Sequence, residues 1–207
     1  MGFLVDFRYR RISQTATVND LLKEFFRKSI HFCAALVPWF AARHFDLTIV
    51  LLSAVVCFYS WSEYRRLGGF AVPVMSRITV LAARKRDEGR FVLGPVTMAV
   101  GVLLTLLLFP PQAARVGIYA LAFGDGIASL AGKLWGRTRI PLTGGKTLEG
   151  SLACFLAVYC AALTVNRNPL QSLEIAGLAV AVELIPVKDY DNLVIPLAIA
   201  SAAALLP

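Results

Sequence analysis

From Lys28 onward, long apolar runs alternate with short charged segments, and that alternation sets the architecture. The first run begins near Lys28 and continues through SIHFCAALVPWFAA; the others cover 47–61, 91–109, about 115–134, 150–165, about 170–187 and 190–206. Several approach the ~17–25 residues that carry a helix across a bilayer. Pro38 lies inside the first run and predicts a kink, which membrane helices tolerate. Residues 70–83, FAVPVMSRITVLAA, contain Pro73 and Arg77 and fall short of a bilayer's thickness. The expected fold is all-α: a polytopic transmembrane bundle of about seven spans, with an interfacial or re-entrant helix near 70–83. Residues 1–27 are polar and basic. There, Asn19 or Asp20 is placed to cap a helix whose Leu21, Leu22, Phe25 and Phe26 share one face, as in a helix lying on a membrane surface. The chain therefore divides into an N-terminal segment, 1–27, and a single membrane domain, 28–207.

Charge gives this bundle a direction. If 70–83 does not cross, the segments 1–27, 62–90, 133–149 and 187–191 share one side and hold nearly all the Lys and Arg. The opposite loops hold little beyond Arg43, Arg115 and Arg167. Positive charge collects on the cytoplasmic side, so the N-terminus and the charged loops are expected there. In a bacterial cell the location would be the inner membrane. The 57% hydrophobic content supports the same class, since soluble domains lie nearer ~45–50%. Topology and anionic headgroups then account for most of the net charge of +8, so nucleic acid is not expected as a partner. Cys33, Cys57, Cys154 and Cys160 sit inside apolar runs without a CxxC pair, and are read as buried small hydrophobes.

Candidate chemistry centres on residues 123–151, FGDGIASLAGKLWGRTRIPLTGGKTLEGS. Asp125 stands in a membrane-grade segment, where a carboxylate is costly unless it is paired or functional. It is suited to hold Mg²⁺ on a polyphosphate or to take a proton from a hydroxyl. Gly124 and Gly126 beside it permit a close approach by another helix or a ligand. Lys133 follows, and then a loop in which Gly144, Gly145, Lys146 and Thr147 resemble a phosphate cradle opening onto Glu149. This loop is not a Walker A motif, because position 140 is Ile. In RKRDEGR, Asp87 and Glu88 are candidate metal ligands, and Lys85 and Arg90 candidate phosphate contacts; a solvated, headgroup-anchored loop would read the same. Glu183, Asp191 and Asn192 offer metal or ribose contacts, although Asp191 or Asn192 could equally cap the last helix. Glu63 and Arg65 fit a surface ion pair as well as a site, and His31 fits a structural role as well as a catalytic one.

Taken together these stretches resemble the CTP-dependent lipid-alcohol kinases, which include dolichol kinase, phytol kinase and the CTP-using diacylglycerol kinase. The resemblance rests on RKSIH at 27–31, SEYRR at 62–66, DEGRFVLGPVTMAVG at 87–101, GDGIASLAGKLWGR at 124–137, KTLEGSLA at 146–153, and Glu183 followed by DNLVIPLA at 191–198. It implies transfer of the CTP γ-phosphate to the hydroxyl of a membrane lipid, with Mg²⁺ or another divalent cation. By position, Asp125, Lys133, Lys146 and Glu149 fall in the nucleotide and catalytic motif, and Asp87, Glu88, Asp191 and Asn192 in companion motifs. The related phosphatidate cytidylyltransferases form a second reading, but their long KD…HGG…DRxD signature is missing here. An ion-coupled transporter is a third. Transporters carry internal repeats and midplane acids, whereas this chain has no visible repeat and its acids gather toward one face.

Overall fold

The computed structural model describes residues 18–83, 87 and 89–206, with side chains from Leu21 onward. Residues 1–17 of the N-terminal segment, and Lys85 and Glu88, lie outside the described residues. Among the described residues the fold is all helix, with one isolated antiparallel bridge between Arg139 and Thr147. The helices are α1 (Val18–Cys33), α2 (Val37–Ala41), α3 (Phe45–Leu67), α4 (Pro73–Ala82), α5 (Gly94–Leu108), α6 (Pro111–Tyr119), α7 (Gly126–Leu134), α8 (Leu148–Asn166), α9 (Pro169–Leu184) and α10 (Asp191–Leu205). A 3₁₀ turn, Ala34–Leu36, joins α1 to α2, and a π-helical turn, Ala120–Asp125, joins α6 to α7.

The predicted apolar runs reappear as helices. The first run is broken at Ala34–Leu36, and Pro38 enters the first turn of α2, where its missing N–H leaves no helical bond unmade. Residues 70–83 form the ten-residue α4, about 15 Å long, which is too short to cross a bilayer. Among the described residues two helices, α3 and α8, are long and apolar enough to span one, fewer than the seven spans expected. Trp39, Val50, Val55, Phe58, Trp61, Leu152 and Leu156 are all exposed, which is the dressing of a surface that faces lipid rather than water.

The core lies where α5, α6, α8, α9 and α10 meet, around Val102, Ile118, Leu121, Val158, Ile175 and Ile199. Small residues set the spacing, as they do wherever helices pack without a hydrophobic drive from water. A Cβ on Gly117 would lie 2.3 Å from the Pro196 carbonyl oxygen, and one on Gly101 2.4 Å from the Asn192 carbonyl oxygen. Pro196 inside α10 supplies no N–H to that Asn192 carbonyl, so α5 approaches a turn of exposed backbone.

Two expectations change. α1 starts at Val18, so Asn19 and Asp20 lie inside the helix rather than capping it. Of the four cysteines only Cys154 is buried; Cys33, Cys57 and Cys160 are free and face outward among the apolar side chains.

Because α5 touches the backbone of α10 at Gly101, Gly101→Ala forces the two helices apart. We expect a loss of about 1–3 kcal/mol, read as a drop of several degrees in the thermal midpoint of the detergent-solubilised protein. An unchanged midpoint would show that the contact is looser than described.

Candidate active site

The site is built on the face of α1 that carries charge. Glu24, Lys28 and His31 recur at helical spacing and are all buried, whereas Leu22 and Phe25 on the other side are exposed. The apolar face read from LLKEFF therefore points outward, and the polar face packs against α7. Lys28 ion-pairs with Asp125, and His31 Nε2 lies 3.9 Å from the same carboxylate. One turn earlier, Glu24 pairs with Arg27 and with Lys133, and accepts a hydrogen bond from Ser129 Oγ at 2.6 Å. α1 and α7 thus run antiparallel with two charged rungs between them.

The glycines flanking Asp125 make this closeness possible, as their sequence position implied. A Cβ on Gly126 would sit 2.8 Å from the Phe32 ring of α1, and one on Gly124 would sit 2.7 Å from Val158 of α8. Asp125 is held between the two helices at the end of a π-helical turn, a feature often found at functional sites.

A second ion pair, Lys146 with Glu183 at 3.1 Å, lies close enough for both residues to act electrostatically on Asp125. Two carboxylates, two lysines and one imidazole therefore share a neighbourhood. Glu183 is buried, and its Oε2 has no hydrogen-bond partner among the described residues. Among the described residues, no three of His, Cys, Asp and Glu come together as a ready-made metal cage. Of the metal candidates read from sequence, Asp125 and Glu183 are near enough to act on each other electrostatically, whereas Asp87 lines a separate cleft and Asp191 stands in the first turn of α10. A pair of carboxylates still suits Mg²⁺, which is commonly held by one or two of them together with substrate phosphates and water.

That other part is a cleft of about 570 Å³, counting space open to solvent, between α1, the segment 87–98 and the start of α10. Arg27, Lys28, His31, Asp87, Asp189 and Asn192 supply its polar lining. Lys28 and His31 thus face both the cleft and Asp125. Thr97 Oγ1 donates to the Asp189 carbonyl at 2.8 Å, which ties the foot of α10 to α5. Asp191 stands in the first turn of α10, where its Oδ1 accepts the Asn192 N–H at 2.9 Å.

Several candidates have structural work instead. Glu63 is buried; it pairs with Arg66 rather than Arg65 and accepts the Val92 N–H at 2.9 Å, which fastens α3 to the 87–92 segment. Arg65 lies over the rings of Trp61 and Phe70. Thr147 is buried as the cap of α8, accepting the Gly150 N–H, and so is not open to phosphate. Glu149 accepts the Thr138 N–H and closes the 138–148 loop. Gly144 and Gly145 hold positive φ, 74° and 99°, and leave that loop exposed beside Lys146. Arg90 is exposed, and its carbonyl accepts from Arg66. Sequence reasoning passed over Glu24, Arg27, Lys28 and Ser129 as site residues. The signal was present in the Glu24–Lys28–His31 spacing, but the segment before Lys28 was read from its apolar face, as a helix lying on a membrane surface.

No protein-family model matches the chain, and no solved structure matches it. Curated relatives do. A probable phytol kinase 1 of Oryza sativa subsp. japonica, chloroplastic, is 26% identical over 199 residues, 75% of this chain and 62% of the relative. Phytol kinase 1 of Arabidopsis thaliana, chloroplastic, is 26% identical over 158 residues, 67% of this chain and 52% of the relative. The CTP-dependent diacylglycerol kinase 1 of Schizosaccharomyces pombe is 32% identical over 68 residues, 32% of this chain and 31% of that protein. The chain spans less than two thirds of the length of each of these. It is a relative of phytol kinases and of a CTP-dependent diacylglycerol kinase, which bears out the resemblance that its motifs carry.

Glu24 offers a test of the α1–α7 contact. Burial would raise its carboxyl, but Arg27 and the hydrogen bonds from Lys133 and Ser129 outweigh that and hold it at about 2, below the ordinary 4.5. A lowered carboxylate stabilises the fold above its ordinary value and loses that contribution as pH falls toward the folded one. The wild-type thermal midpoint should therefore fall relative to that of Glu24→Gln as pH drops from 4.5 toward 2. Parallel curves over that range would remove Glu24 as the anchor.

Proposed function

We propose that the chain is a CTP-dependent lipid-alcohol kinase embedded in a membrane, moving the γ-phosphate of CTP to the hydroxyl of a polyprenol, diacylglycerol or phytol-type lipid. The observation that carries this reading is Asp125, half-buried between α1 and α7, paired with Lys28 and neighboured by His31, Lys146 and Glu183. The relatives named above support the same reaction class. In this reading the chain crosses the bilayer about seven times, α4 lies at the interface, and the site opens to the cytoplasm.

The chemistry needs alignment and charge neutralisation more than covalent help from the protein. Lys28 and Lys146 already sit against carboxylates, so an arriving triphosphate takes over cations that are held in place. Asp125 and Glu183 are the residues that would hold Mg²⁺, which when bound neutralises charge on the phosphate oxygens. The lipid oxygen attacks the γ-phosphorus, the bond to the β-phosphate oxygen breaks, CDP leaves, and the hydroxyl proton passes to a base. Asp125 serves as metal ligand or as that base. The lipid tail stays among the exposed apolar side chains, so only the hydroxyl must reach the charged pocket.

Purified protein with γ-labelled CTP, Mg²⁺ and mixed lipid alcohols should place label in lipid, and Asp125→Asn should slow that transfer ~10²-fold or more. Label released as pyrophosphate would mean a cytidylyltransferase, and wild-type turnover by Asp125→Asn would remove Asp125 from the mechanism.

A further inference from the structure

We infer that Asn192 reads the base of the nucleotide: its Oδ1 accepts the exocyclic amine of cytosine in the cleft between α1, the 87–98 segment and α10. This rests on the kinase reading above and adds to it the residue that selects CTP over UTP.

The orientation of the Asn192 amide is determined by its neighbours. Nδ2 lies 3.2 Å from the Gly94 carbonyl oxygen, which can only accept, so the donor end must face it. The second contact, 3.4 Å to Thr97 Oγ1, agrees, because that hydroxyl has the Leu93, Gly94 and Asp189 carbonyls to take its own hydrogen and is left to accept from Nδ2. The remaining end, Oδ1, is a buried acceptor with no hydrogen-bond partner among the described residues, on a residue only 5% exposed. A buried polar atom left unpaired is costly, and the cost disappears when a ligand donor arrives. Gly101 of α5 packs against the Asn192 backbone, and the two Nδ2 contacts hold its side chain.

Charge sets which end of the nucleotide lies here. Asp189 lines the cleft on the Asn192 side, tied there through Thr97, whereas Lys28 lines it beside Asp125 with Arg27 next to it in α1. Phosphates are drawn to the cations, which leaves the acceptor-rich end for the base. Between the two, Ile30, Val92, Pro95 and Met98 give an apolar wall suited to a flat ring. Cytosine presents an amine at its 4 position where uracil presents a carbonyl oxygen, so a fixed acceptor welcomes one and leaves an oxygen facing an oxygen with the other.

The test is equilibrium binding to the full chain in nanodiscs, using CTP, UTP, 2′-deoxy-CTP, tripolyphosphate, and a CTP analogue with hydrogen in place of the 4-amino group. We expect wild type to bind CTP about tenfold or more tighter than UTP or the des-amino analogue, with deoxy-CTP close to CTP. Asn192→Ala should lose that preference while tripolyphosphate binding stays the same. The wild-type comparison of the analogues needs no variant to fold. Equal wild-type affinity for CTP and its des-amino analogue, or a preference that survives in Asn192→Ala, overturns the inference. A penalty confined to deoxy-CTP also overturns it, by moving the contact to ribose. If wild type binds no nucleotide at all, the kinase reading fails first and this assignment fails with it.

Discussion

The fold around the site depends on one constraint: a carboxylate buried among apolar helices needs a cation held against it. Asp125 has Lys28, Glu24 has Arg27 and Lys133, Glu183 has Lys146, and Glu63 has Arg66. Breaking such a pair leaves an uncompensated charge in a poor solvent for it, which costs far more than an exposed pair is worth. Two of these four sets join α1 to α7. They turn the usual arrangement of a surface helix inside out, with charge facing protein and Leu22 and Phe25 facing out.

The same pairing prepares chemistry. In the proposed reaction Lys28 is buried against Asp125 and Lys146 half-buried against Glu183 before a ligand arrives, so a polyphosphate would meet donors already oriented. The carboxylates released in that exchange are the groups that would take a divalent cation. Gly126 and Gly124 let Phe32 of α1 and Val158 of α8 close on the backbone beside Asp125, and Gly101 packs on the backbone at the foot of α10, so both ends of the proposed site are set by close contacts at glycine. That rigidity is what a base-reading amide requires.

Much of the fold was legible from the alternation of apolar and charged runs, because membrane-grade helices announce themselves by length and composition. Pro38 and the shortness of 70–83 were read correctly for the same reason. Asp125 with its two glycines was also visible, since an acid in such a run is an anomaly. The charged face of α1 was missed because LLKEFF has an equally periodic apolar face, and the sequence does not say which one meets protein. Thr147 resembled a phosphate-binding residue and Glu149 a member of the catalytic motif, since a helix cap and a loop clasp use the same residue types as such a site. Glu63 and Arg65 were misjudged as a pair because neighbours in sequence point apart on a helix, and Arg66 at i+3 meets Glu63 instead.

The most direct measurement is a structure of the chain in a lipid disc with a non-hydrolysable CTP analogue and Mg²⁺. The account predicts the triphosphate between Lys28 and Lys146, with Asp125 drawn off Lys28 toward the metal. Phosphates bound elsewhere, with the Lys28–Asp125 pair intact, would contradict it.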